Sequence, residues 1–478
     1  MKNRIYTLAL SALMIVFMGA CADRLDLDPF NAVGTDNAFQ SAGDFSNAVR
    51  GMYSGMRAGD YYGGRYIATP DILSDNLIIC SEGRLSQQTT HYWNYGGNNT
   101  WLLWDDGYRI ILRANLILEN IDALEDGAFK NNVMGEALAI RALAHFDMAR
   151  LYCPAPQHAP TALGIPYMTS SDASQKPSRP PVTETFNLII QDLEDAAALI
   201  SDDNGEGRLN QVAVNGLLAR VNFYAGDNAG AIAAATAVID DPNAPAVATA
   251  AQFDDLWKDG NAAGVLFKMK ITNQDGTSPG VQYSQTGAEG VRSEYVADYA
   301  FYTEYENSAE YTGDVRLDVY FQTSDFAGET FNHIAKWFGR TGAPANLSDV
   351  QVLRMEEIYL TRAEARALTN QAGALADLNV VRDQRYTSYT GGETGAALLA
   401  AIRLERRKEL AFEGHRFFDI KRMNVGISRS TFGDYADGSG GALPSNALNL
   451  PAGDGRFSLP LPQSELNANS NMEQNPGY

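Results

Sequence analysis

Asn228-Ala-Gly-Ala-Ile-Ala-Ala234 recurs as Gln371-Ala-Gly-Ala-Leu-Ala-Asp377, an offset of 143 residues (371 less 228). Each copy follows an apolar stripe of helical period: Val214, Leu218, Val221 and Ala225 before the first, Met355, Tyr359, Ala363 and Ala367 before the second. Gly226-Asp227 and Thr369-Asn370 punctuate the two stripes, so each copy reads as a helix, a short break and a second helix. The apolar pairs beyond, Val238-Ile239 and Val380-Val381, lie 142 apart, which is a register slip of one residue. Small residues at matched places let antiparallel helices approach closely, as in stacked tetratricopeptide-like hairpins.

Other segments extend the pattern. Ile110, Ala114, Ile117, Ile121 and Leu124 recur at steps of four and three, as do Phe186, Ile190, Leu193, Ala197 and Ile200. Strand-like alternation is rare. The expectation is an all-α chain: tetratricopeptide-like helical hairpins forming a superhelical body, with one helix over 352–369. Residues 241–350 and 423–478 lack sustained periodicity and are rich in Gly, Asn and Pro. They read as long loop insertions decorating the body, where binding function tends to sit.

The 478 residues carry 37 Lys+Arg against 58 Asp+Glu, a formal charge of −21. Such a chain lacks the cationic surface that nucleic acid or a polybasic membrane contact needs, so no nucleic-acid partner is expected. Hydrophobic residues at 45% and charged residues at 20% match a folded protein rather than a disordered one.

The N-terminus is an address. Lys2 and Arg4 precede an apolar run from Ile5 to Met18, too short for a permanent membrane span of about 20 residues. Met18-Gly19-Ala20-Cys21 is similar to a bacterial lipobox, with Met where Leu is usual. Residues 1–20 are then a signal peptide, Cys21 is the lipid-attachment residue, 21–43 a tether and N-terminal segment, and 44–478 a single domain. Loss of 20 residues, with Lys2 and Arg4, leaves 458 residues at −23. Acyl chains on Cys21 would exceed the threshold for stable anchoring. Cys80 and Cys153 remain, either as a disulfide or as two buried thiols.

Catalytic motifs are missing. The five histidines show no ligand spacing, and no H-E-x-x-H, G-x-S-x-G or P-loop occurs, so neither a metal site nor a cofactor is expected. The densest charge pattern, from Glu405 through Glu409, Glu413, Arg416 and Asp419 to Arg422, permits Glu405 to pair with Lys408 and Glu413 with Arg416. Its favoured reading is a partly buried ion network locking a C-terminal helix to the body.

Aromatics carry the ligand hypothesis. Nine lie between 61 and 108, among them Tyr61, Tyr62, Trp93, Tyr95 and Trp101. His91-Tyr-Trp-Asn-Tyr-Gly-Gly-Asn-Asn-Thr100 surrounds Trp93 with loop residues. Trp104 and Tyr108 are in step with the Ile110 helix and belong to the core. A second concentration includes Trp337, with Tyr283 just before it. Flat rings offer stacking surfaces to sugars, and neighbouring amides can bond hydroxyls. Tyr61, Tyr62, Trp93, Tyr95, Trp101, Tyr283 and Trp337 are the expected ligand contacts.

Several segments, taken in order, resemble the SusD/RagB family of outer-membrane nutrient-binding lipoproteins. They are the Cys21 lipobox; Trp104 and Tyr108 with Asn115; Arg141-Ala-Leu and Arg150-Leu-Tyr; Gly164-Ile-Pro-Tyr; and Ile190-Gln-Asp192-Leu. Leu218-Ala-Arg, Arg354-Met-Glu-Glu-Ile-Tyr-Leu360, Ala363-Glu-Ala, Leu378-Asn-Val-Val-Arg382, the Glu405–Asp419 segment and Gln474-Asn-Pro-Gly-Tyr complete the set. Cys153-Pro154 departs from the glycine of many members. The resemblance implies four tetratricopeptide-like hairpins and a lipid-anchored position on the outer-membrane surface. It also implies a SusC-like TonB-dependent transporter as partner, and capture of an oligosaccharide or polysaccharide without catalysis. A peptide-capturing RagB-like relative would share every motif, and a membrane-tethered glycosidase is the third reading.

Overall fold

The computed structural model describes residues 38–99 and 103–478. The signal segment, Cys21 and Trp101 lie outside the described residues.

The long helices are α1 (Ala42–Met56), α2 (Leu103–Glu119), α3 (Ala128–Tyr152), α4 (Val182–Leu199) and α5 (Gln211–Ala225). They continue as α6 (Asn228–Ile239), α7 (Met355–Leu368), α8 (Ala374–Arg382), α9 (Gly395–Glu409) and the short α10 (Arg416–Arg422). From α2 to α8 each of these helices packs against the next, and α9 lies on α7. Local chemistry sets the ends. Ser41 and Asp44 close a capping box on α1. Gly226, at φ +87°, terminates α5 in the left-handed conformation that glycine adopts without a Cβ penalty, and the Asp227 side chain caps α6.

The repeated heptapeptides open the second helices of the α5–α6 and α7–α8 pairs, and α6 packs on α7. Two chain segments far apart in sequence are therefore neighbours in one stack. Ala231 of α6 and Ala365 of α7 are buried together against Phe223. Arg362 joins three helices, donating to both Asp377 oxygens of α8 and to Thr236 of α6.

The described chain is helix-rich but not all-α. Its strands include β1 (Leu77–Ile79), β2 (Val265–Met269), β3 (Ser284–Gly287), β4 (Gly290–Ser293), β5 (Tyr295–Ala297) and β6 (Tyr311–Thr312). They continue with β7 (Phe321–Phe326), β8 (Glu329–Ile334), β9 (Val350–Arg354), β10 (Ser388–Tyr389), β11 (Ile427–Ser428) and β12 (Asn449–Leu450). One antiparallel sheet runs β1-β5-β8-β7; the others are the two-stranded pairs β2-β9, β3-β4, β6-β10 and β11-β12. Most of these strands fall in 241–350, expected as loop. The helix expected from 352 begins at Met355, because Val350–Arg354 pairs with β2. That strand is buried at every position, so it has no alternation to read.

The charged segment 405–422 is a buried ion network: Asp419 pairs within it, with Arg406 and Arg422, and most of its other partners are tertiary. Glu405 meets Arg316 at 2.7 Å, and Lys408 meets Asp314 at 2.8 Å. Glu413 pairs with Lys336 and Arg354, both at 2.7 Å, and Arg416 with Asp75 at 2.7 Å. The expected Glu405–Lys408 and Glu413–Arg416 pairs give way because each side chain points into the protein, where partners from distant segments wait. Glu409 accepts from three guanidinium groups, those of Arg316, Arg354 and Arg385. Although burial opposes ionisation, these cations hold its carboxyl well below the usual range.

Candidate functional site

Six of the seven aromatics expected to meet ligand are core residues. Tyr61 and Tyr62 stack at 4.5 Å, and both hydroxyls donate to Asp147 at 2.7 Å. Tyr66 donates to the other Asp147 oxygen, which also accepts from Arg150. Trp93 is buried, its Nε1 donating to the Leu73 carbonyl at 2.9 Å. Tyr95 is buried with its hydroxyl on the Arg456 carbonyl. Tyr283 and Trp337 lie parallel, 6.3 Å apart, and both donate to the Phe412 carbonyl. A ring enclosed in this way has no face to offer a sugar. The loop composition around Trp93 misled because this loop folds inward. Trp104 is buried as expected; Tyr108 is half-buried, and both line a cavity of about 330 Å³ with Met168 and Glu465.

Exposed apolar side chains lie one step along the neighbouring loops. Strand β1 leads into 80–93, whose Cys80 amide donates to the carbonyl of Glu294, the residue before β5. Leu85 and Gln87 have φ of +56° and +58°, a left-handed conformation costly for non-glycine residues and concentrated at functional sites. Leu85 is 45% exposed. Beside it, Arg84 is held by buried Glu294, with Nε 2.5 Å from Oε1. Arg292 of β4 donates to the carbonyls of Glu82 and Gly83, which fixes the start of the loop.

The third contributor is 430–441. Asp434 ties it to the first segment, accepting from the Ser81 and Gly441 amides at 2.7 Å each. This staple supports Phe432, 44% exposed, edge-on to half-buried Tyr299 with centroids 5.0 Å apart. Gly438 is required beneath them: at φ +82°, a Cβ would lie 2.7 Å from the Tyr299 ring and 2.9 Å from Phe432. Tyr435, half-buried, stands edge-on to Phe331 at 5.5 Å. Desolvation first, then the carboxylates of Glu329, Asp434 and Glu82, raise its phenol above the ordinary value. The surface therefore combines solvent-facing rings with an acidic, hydrogen-bonding surround.

Phe432 and Tyr435 were not among the aromatics singled out from the sequence, and Tyr299, part of the second aromatic concentration, was not among the expected contacts. The available signal was an aromatic pair, Phe432 and Tyr435, in a Gly- and Asp-rich stretch.

Cys80 and Cys153 are free and buried. Among the described residues, no helix is long and apolar enough to cross a membrane.

Residues 25–223 match the SusD-like model described as starch-binding associating with outer membrane, and residues 326–478 match the SusD family model. The chain is 25% identical to SusD-like protein P2 of Formosa agariphila over 99% of both chains. It is 30% identical to the starch-binding protein SusD of Bacteroides thetaiotaomicron, over 33% of this chain and 28% of that one. A SusD superfamily protein from Bacteroides vulgatus superposes with a TM-score of 0.80 at 28% identity, covering 92% of this chain and 100% of the other.

Proposed function

The chain belongs to the SusD/RagB family, and on that basis we propose that it is a glycan-binding protein of the cell surface, acting without catalysis. The observation that carries the reading is the surface made by 80–93, 284–299 and 430–441, where Phe432, Tyr299 and Tyr435 present rings beside carboxylates and backbone amides. Rings stack on the weakly apolar faces of sugars while the polar surround bonds hydroxyls. Its acidity favours a neutral glycan over a uronate or a sulfate ester.

The family model's description places its members at the outer membrane. With the lipobox, this supports acylation of Cys21 and display on the outer face, with 21–43 as tether and 44–478 as the single ligand-binding unit. The stacked α3–α4, α5–α6 and α7–α8 pairs support a tetratricopeptide-like superhelical body. The handoff we infer is to a SusC-like TonB-dependent transporter.

Affinity electrophoresis of the mature chain carrying Cys21→Ser, against a panel of neutral and acidic polysaccharides, tests the reading. Retardation by a neutral polysaccharide, weakened in Phe432→Ala with thermal unfolding unchanged, is the expected result. No retardation by any polysaccharide would overturn it.

A further inference from the structure

A second concave site shares no residue with the loop surface. The ribbon β6–β10, in which Tyr389 pairs with Tyr311, stands over α9 and encloses about 350 Å³, within the range of small-ligand pockets. Alanines 397, 400 and 401 of α9 leave the space open. Three half-buried rings face it in series: Tyr311 to Tyr386 at 4.8 Å between centroids, Tyr386 to Tyr389 at 6.2 Å.

Every one of these hydroxyls already has a partner. Tyr386 donates to Glu405 at 2.8 Å and accepts from Arg316, Tyr389 donates to Asp383, and Tyr311 to the Glu304 carbonyl. The rings are thereby fixed before any ligand arrives, which lowers the ordering cost of binding. What they leave available is ring face.

Charge narrows the ligand. The lining carries Glu310, Glu393 and Glu405 against Arg382, whose guanidinium is bidentate to Glu393 at 2.9 and 3.1 Å. A carboxylated or sulfated sugar would meet net repulsion. A cation, the other usual guest of a tyrosine cluster, finds one face of each ring already taken by a cation of the protein. Buried Lys408 sits 4.0 Å from the Tyr311 centroid, buried Arg316 5.1 Å from Tyr386, and Arg382 5.4 Å from Tyr389. Neutral hydroxylated rings fit both constraints, with Glu310, Glu393 and Arg382 at the rim to bond hydroxyls.

We propose that the cavity between the β6–β10 ribbon and α9 is a second subsite for a neutral oligosaccharide unit. It rests on the glycan-binding reading and adds a location and a ligand charge to it. Two subsites on one chain would raise the avidity for a long polymer over that for a short oligomer.

The test is isothermal titration of the mature chain with maltohexaose, laminarihexaose, xylohexaose and mannohexaose, with trigalacturonate and choline as charged probes. For the hexasaccharide that binds, Tyr389→Ala is expected to remove one of two binding events or to weaken affinity at least fivefold. Tyr389→Phe, which keeps the ring, retains binding. Phe432→Ala should leave a residual event that the double variant removes. Ala400→Phe, on the exposed side of α9, fills the cavity and gives the same loss if Tyr389→Ala unfolds the ribbon. Binding by the wild type that neither Tyr389→Ala nor Ala400→Phe alters would overturn this subsite alone. Binding of trigalacturonate or choline, lost in Tyr389→Ala with neutral sugars unaffected, overturns the ligand assignment. Failure of every neutral hexasaccharide to bind overturns both the subsite and the reading beneath it.

Discussion

The guanidinium carbon of Arg429 lies 4.0 Å from the centroid of the Trp93 ring, with both side chains buried. Arg429 also donates to four carbonyls, those of Ser74, His91, Ala447 and Ile72. The pair clamps the C-terminal loops to the segment after β1. Burial first lowers the Arg429 pKa, to about 9. The clamp is therefore held by carbonyls and a ring face in a dry site, without a direct carboxylate partner among its hydrogen bonds.

Trp93→Ala removes that ring from the core. The expected loss is about 3–5 kcal/mol of unfolding free energy, the usual cost of deleting a buried large aromatic. Urea denaturation should show a lower midpoint, while the folded fraction keeps its glycan affinity. Selective loss of affinity with an unchanged midpoint would return Trp93 to the ligand site.

Glu409→Gln leaves three buried guanidinium groups without their shared anion. Breaking a buried ion pair by removing one partner costs about 3–5 kcal/mol. Denaturant titration should find a loss of that order, greater than that of Arg403→Gln, whose side chain is 34% exposed where it meets Glu364.

Asp147→Leu should be among the most damaging core changes. It removes the acceptor shared by the Tyr61, Tyr62 and Tyr66 hydroxyls and the Arg150 guanidinium, and leaves Tyr61 and Tyr62 without it. Each unsatisfied buried group costs about 1–3 kcal/mol. Soluble yield and melting temperature should both fall, and recovery of the wild-type melting temperature in the variant would refute the assignment.

Acid should unfold the protein through the ion network. Arginine neighbours hold the Glu409, Asp419 and Asp75 carboxyls below their ordinary values despite burial, so the folded state releases these protons more readily than the unfolded chain. Their stabilisation is complete above the unfolded-state values, about 4 to 4.5, and is lost as pH falls toward the folded-state values. Asp71 acts oppositely: burial raises it to about 6, so its penalty eases as pH drops from 6 toward 4. Desolvation holds the buried imidazoles of His91, His145 and His415 neutral, so protonation of the unfolded chain below about 6.5 also costs stability. Melting temperature measured from pH 7 to pH 3 should therefore begin to fall below about pH 6.5 and decline more steeply below about pH 5.

The two internal thiols should be inert in the native state. Burial pushes Cys80 up to about 12 and Cys153 up to about 11, which leaves little thiolate at neutral pH. Ellman titration of the mature Cys21→Ser chain should find two thiols in denaturant and almost none before it.

Helix pattern, repeat and family motifs were legible in the sequence because they depend on near neighbours. A stripe at steps of three and four reports one helix face, and Gly226 or Asp227 reports one cap. The alanines of 228–234 and 371–377 even announced a stack, since close helix approach needs small residues wherever the partner lies. The strands of 265–354 were hidden because they are two to six residues long, and β5 and β9 are buried throughout, so no alternation marks those two.

Only tertiary structure decided which aromatics are inside. Trp93 and Phe432 both sit in Gly- and Asn- or Asp-containing loops, yet one lies beneath Arg429 and the other faces solvent at 44% exposure. Exposure depends on what the rest of the chain lays over a ring, and no local pattern records that. The same holds for the charges of 405–422: the sequence showed that they would pair, while Arg316, Arg354, Arg385 and Asp75, brought in from 24 to 341 residues away, decided with whom.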